Sequence, residues 1–152
     1  MSVPETKPIV LYDGVCGLCN RLNQFLLKRD RHDRLQFASL QSTLAAAVLQ
    51  RHGADARDLN TVYVVLNHNK PGERLLARSD AIIHTLTQLP GIWRFAVMGR
   101  ALPKFIRDTL YKFVAQNRYR VFGKHETCIL PEPQHRKKFL EVYVFGEGWY
   151  VK

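Results

Sequence analysis

The chemistry legible in this chain starts from Cys16-Gly17-Leu18-Cys19, two thiols at about the spacing of one helical turn. A short apolar run at 9–12 precedes the pair and helical spacing follows it, so the cysteines stand where a strand turns into a helix. Unpaired backbone N–H groups and the macrodipole favour an anion there, which stabilises a thiolate at Cys16. Thiols so placed ionise at roughly 3.5–7.5 instead of about 8.5. Ionised Cys16 is the expected attacking sulfur in disulfide exchange, and Cys19, shielded beneath the first turn, the expected resolving one. Two reduced structural cysteines are the alternative reading. Asp13, three residues before Cys16, either caps the turn by accepting backbone N–H bonds or accepts a proton from the cysteines. Capping is the simpler role, because Asp13-Gly14 is a common turn pair.

The elements that must hold this pair follow from periodicity. Residues 9–12 read as a buried strand ended by Asp13-Gly14, and Leu18, Leu22, Phe25 and Leu26 recur at helical spacing up to a charged run at 28–34. Leu35, Phe37 and Leu40 alternate as in a strand, and an alanine-rich helix at 44–51 stops at Gly53. Residues 61–66 are β-branched and aromatic throughout, and with 74–78 they read as an antiparallel hairpin. Ser79 or Asp80 is expected to cap the next helix, whose apolar positions are Ile82, Ile83, Leu86 and Leu89. The order βαβαββα is that of a thioredoxin-like α/β fold. Residues 8–90 form this core, 91–140 a basic helical C-terminal extension, and 141–152 a terminal segment that with 139 and 140 suits a small hairpin, all within one domain over 1–152. In the extension Leu102, Phe105, Ile106, Thr109, Leu110, Phe113 and Val114 share a helix face. The spacing predicts that Phe105, Ile106 and Phe113 face the core while Lys104, Arg107 and Lys112 line the solvated side.

The run Tyr12-Asp13-Gly14-Val15-Cys16-Gly17-Leu18-Cys19 resembles the signature of the DCC-type thiol-disulfide oxidoreductases, whose Asp, Cys and Cys stand here as Asp13, Cys16 and Cys19. Phe25-Leu26-Leu27-Lys28-Arg29-Asp30, Phe37-Ala38-Ser39-Leu40-Gln41-Ser42, Arg78-Ser79-Asp80-Ala81, Asn117-Arg118-Tyr119-Arg120 with Phe122-Gly123, and Cys128-Ile129-Leu130-Pro131 resemble the family's pattern as well, over about residues 9–140. The resemblance implies a thioredoxin-like fold and disulfide exchange, and leaves the physiological substrate open. Thioredoxins and glutaredoxins normally carry a cis-proline before the third strand; this chain has Thr61-Val62-Tyr63 there. Val62 is then the expected backbone edge for an extended substrate, with Gly17, Leu18 and Thr61 beside it. Arg78, Ser79 and Asp80 lie where glutaredoxins hold the γ-glutamyl end of glutathione, which makes them candidate contacts.

Composition limits the rest. The chain has 152 residues, 46% hydrophobic and 24% charged, and its 8 Phe, 6 Tyr and 2 Trp suffice to build a core. Three cysteines are too few for a disulfide-stapled secreted scaffold. No apolar run approaches the roughly 20 residues that span a bilayer, and residues 1–7 carry no apolar signal core, so the expected location is the cytoplasm and no membrane partner is expected. The net charge of +10 favours anionic partners, among them phosphates, acidic proteins and glutathione.

Two rivals remain. A Cys3His zinc site would use Cys16, Cys19, His125 and Cys128, although Gly17-Leu18 at a strand-to-helix turn suits a redox pair better. A nucleic-acid module would use the 11 basic residues from Arg94 to Lys138, with Tyr111, Phe113, Tyr119 and Phe122 stacking on bases, but no recognised nucleic-acid motif accompanies them. The preferred reading is a dithiol–disulfide oxidoreductase needing no metal or organic cofactor and acting on a disulfide-containing protein or small molecule. Glutathione or a thioredoxin-type partner would supply the electrons.

Overall fold

A computed structural model describes residues 6–13, 16–40, 42–55, 61–123 and 138–141. The strands are β1 (Ile9–Tyr12), β2 (Gln36–Ser39), β3 (Tyr63–Leu66), β4 (Arg74–Ala77) and β5 (Phe139–Glu141). The α-helices are α1 (Gly17–Arg29), α2 (Thr43–Arg51), α3 (Arg78–Thr87) and α4 (Lys104–Phe122), with a 3₁₀ helix over Gly91–Ala101 between the last two. The sheet order is β4-β3-β1-β2-β5. β1 pairs in parallel with β2, Ile9 opposite Gln36, and antiparallel with β3, Ile9 opposite Val65. β3 and β4 form the hairpin, Tyr63 opposite Ala77. The mixed sheet, with helices on both faces, is consistent with the thioredoxin-like fold.

β1 is central, and its alternation feeds two cores. Val10 and Tyr12 pack in one apolar cluster with Leu26 and Leu27 of α1 and Ala81 of α3, whereas Ile9 and Leu11 join Ala45, Val48 and Leu49 of α2 in the other. Ser42 caps α2 by accepting from the Ala45 amide at 3.1 Å, and Gly53, at φ +68°, follows it in the left-handed conformation that a side chain would resist. Lys28 and Arg29 sit in the last turn of α1, where cations suit the dipole.

Two expectations are corrected by these elements. Helix α3 starts at Arg78 and is entered from Ala77 without a side-chain cap, so neither Ser79 nor Asp80 caps it. Both lie in its first turn and bond to α4 instead. Residues 139–141 form a strand added in parallel to β2, with Phe139 stacked on Phe37 at 5.1 Å between centroids; the rest of the expected terminal hairpin, 142–152, lies outside the described residues.

The second correction concerns α4, whose apolar face is turned outward. Phe105 is 71% exposed and Phe113 68%, and Ile106 is exposed too. The side that meets the body carries Ala115 and Arg118, both buried, with Arg107 and Asp108 partly covered. The reason is electrostatic. α4 faces the polar first turn of α3, where Ser79 Oγ donates to Asp108 at 2.5 Å and Arg107 Nη1 donates to Asp80 at 2.9 Å. Lys104 Nζ adds a bond to Asp80 at 3.0 Å.

Candidate active site

Cys16 is the N-cap of α1. Its extended backbone (φ −83°, ψ 124°) turns the side chain back over the first turn, where Sγ accepts from the Cys19 amide at 3.5 Å. Both cysteines are free thiols and buried. The Cys16 thiol is lowered to about 6, chiefly by a hydrogen bond from the Cys19 thiol. Burial opposes the shift, while the Cys19 and Leu18 backbone and the Arg118 charge add to it. The Cys19 thiol is pushed far up by the same hydrogen bond to Cys16, by burial, and by the neighbouring negative charge. One sulfur therefore ionises easily and the other keeps its proton.

Asp13, Cys16 and Cys19 are brought together at the end of β1, and the third partner comes from α4. Arg118 Nη2 donates to Asp13 Oδ2 at 3.1 Å and to the Tyr119 hydroxyl at 2.9 Å, and the Tyr119 hydroxyl donates to the same Asp13 oxygen. Burial works against the charged Arg118, but Tyr119, the two cysteines and Asp13 together raise its pKa. Tyr119 is raised too, by burial and by its bond to Asp13. A guanidinium with only 3% side-chain exposure thus faces both the carboxylate and the thiols. Sequence reasoning missed Arg118 and Tyr119 as site residues: it has them in the basic and aromatic tally and in the segment 117–120 that resembles the family pattern, and the latter was the available signal.

The remaining expected site residues divide. Gly17 lies in the first turn of α1 and its amide donates to the Gly123 carbonyl at 3.2 Å, tying that turn to the end of α4. Gly123 holds φ +81°, a value that glycine adopts without strain. Leu18, Cys19, Val62 and Ser79 line one cavity of about 460 Å³, while Thr61 is buried beside Val62. The Val62 amide donates to the Tyr111 hydroxyl at 2.7 Å, and its carbonyl accepts from the Arg78 amide at 3.0 Å. Arg78 itself sits at φ +55°, and Ser79 and Asp80 are occupied by α4. His125 and Cys128 lie outside the described residues.

Among the described residues no group of three or more His, Cys, Asp or Glu is arranged to hold a metal, and no helix is long and apolar enough to cross a membrane. A family model described as DCC1-like thiol-disulfide oxidoreductase matches residues 10–124. The chain is 38% identical over 132 residues to the protein YuxK of Bacillus subtilis (strain 168), covering 87% of this chain and 93% of that protein. It is 34% identical over 127 residues to a DCC family protein of Arabidopsis thaliana whose name marks it as chloroplastic, covering 83% of this chain and 71% of that one. No solved structure matches the chain.

Proposed function

The chain belongs to the DCC1-like thiol-disulfide oxidoreductase family, and from that premise we propose that Cys16 is the attacking thiolate and Cys19 the resolving thiol of a dithiol–disulfide exchange cycle. The asymmetry of the pair carries this reading: Cys16 ionises at about 6, and Cys19 is held protonated behind it. The Cys16 sulfur attacks one sulfur of a substrate disulfide, a Cys16–substrate bond forms, and the second substrate sulfur leaves as a thiolate. Cys19 then gives its proton to the departing thiolate and attacks the Cys16 sulfur, releasing the first substrate sulfur, which takes a proton from solvent. The substrate gains two electrons and the protein ends as a Cys16–Cys19 disulfide. A thiol reductant, glutathione or a thioredoxin-type partner, restores the dithiol, as suits a reducing compartment such as the cytoplasm. The same steps run in reverse when the potentials favour it.

Asp13 is a positioning residue in this reading: it holds the Arg118 charge that favours the Cys16 thiolate. Leu18 and Val62, which line the cavity that Cys19 also lines, contact the substrate in this reading, with Gly17 in the first turn of α1 and Thr61 buried behind Val62 as their supports. Ser79 and Asp80 fix α4 against α3 and are reachable by a glutathione only if those bonds open, while the Arg78 amide is held by the Val62 carbonyl. Cys16 is buried in the dithiol form, so the substrate must open the surface at the first turn of α1, where Gly17 and Gly123 are bonded.

Replacing each cysteine in turn tests the roles. Cys16→Ser is expected to abolish turnover of a model disulfide, and Cys19→Ser to accumulate a mixed disulfide on Cys16, read by mass spectrometry under non-reducing conditions. Turnover of Cys16→Ser at the parent rate contradicts the assignment.

A further inference from the structure

Resting on this redox reading, we infer that the protein recognises its substrate through apolar side chains beside the disulfide, on a polypeptide segment with acidic flanks, and not through backbone pairing at β3. The backbone route is closed: the Val62 amide is taken by the Tyr111 hydroxyl and its carbonyl by the Arg78 amide. What is open next to the pair is the cavity of about 460 Å³, whose wall includes Cys19 and is otherwise mostly aliphatic, from Leu18 and Leu22 of α1 to Ile82 and Ile83 of α3. That volume falls within the roughly 300–1,000 Å³ of ligand clefts.

The cavity continues into the outward face of α4. Leu102, Leu110 and Val114 line it and are 51%, 60% and 48% exposed. From there an exposed apolar stripe, Ile106, Leu110, Phe113 and Val121, follows helical spacing. It runs about 22 Å at 1.5 Å per residue, longer than a small disulfide needs and suited to a polypeptide. Exposed Arg94, Arg100, Lys112 and Arg120 lie along the 3₁₀ helix and α4, where the acid, Asp108, is already paired with Lys104. An acidic segment complements that charge, whereas a second copy would set the same cations against themselves.

The test uses two peptides of equal length with an internal disulfide and Glu flanks, one carrying Leu and Phe beside its cysteines and the other Ser and Thr. Bis(2-hydroxyethyl) disulfide serves as the small control. The apolar peptide is expected to show a kcat/KM higher by tenfold or more, on the order of what one buried bulky side chain supplies. Val114→Trp, which fills the mouth, is expected to bring that ratio towards one; Leu110→Gln does the same should Val114→Trp fail to fold by circular dichroism. Added salt is expected to slow the apolar peptide, and a salt-independent rate overturns the acidic-flank part. Equal rates on both peptides with turnover of the control overturn the inference, whether the stripe then proves to be covered by a second copy in sedimentation or by phosphatidylserine vesicles in flotation. Absence of turnover on all three disulfides overturns the redox reading itself.

Discussion

Helices α1 and α4 are both amphipathic, yet they face opposite ways. α1 turns Leu26 and Leu27 into the core, while α4 shows Ile106, Leu110 and Phe113 to solvent and puts Arg118 inside. Apolar spacing thus identifies a stripe without saying which side the body covers. Stripping a buried charge of its partner costs about 3–5 kcal/mol, and the inward side of α4 is the one that keeps Arg118 on the buried Asp13.

Substitutions on α4 and in the sheet core should separate these regions. Phe37→Ala, at the centre of the inward-facing core, is expected to cost about 3–5 kcal/mol in urea unfolding. Arg118→Met, on the inward side of α4, is expected to cost a similar about 3–5 kcal/mol and to raise the pH at which Cys16 ionises, since it removes a charge that favours the thiolate. Tyr111→Phe frees the Val62 amide and is expected to cost about 1 kcal/mol. Phe113→Ala, on the outer stripe, is expected to change stability by no more than about 0.5 kcal/mol. A large loss for Phe113→Ala would break the comparison by showing that the stripe is buried in solution.

What the sequence made legible is local. The β1–α1 turn, the Ser42-led α2, the hairpin and the cysteine pair all rest on signals within a dozen or so residues, and α1 places both sulfurs as its spacing predicts. What escaped depends on distant partners. Ser79 looks like a cap until Asp108, 29 residues on, takes its hydroxyl. Asp13 looks like a turn residue until Arg118, 105 residues away, reaches its carboxylate. The strand at Phe139 needs β2 beside it, and no short-range pattern announces a parallel partner about a hundred residues earlier.

The unequal ionisation of the two neighbouring thiols is tested most directly by the pH dependence of alkylation by iodoacetamide, with the modified residue identified by peptide mapping. Cys16 is expected to react first, with a rate that rises as pH increases and is half-maximal near pH 6, while Cys19 stays unmodified. Reaction of both sulfurs together, with a midpoint near the ordinary thiol value of about 8.5, would contradict it.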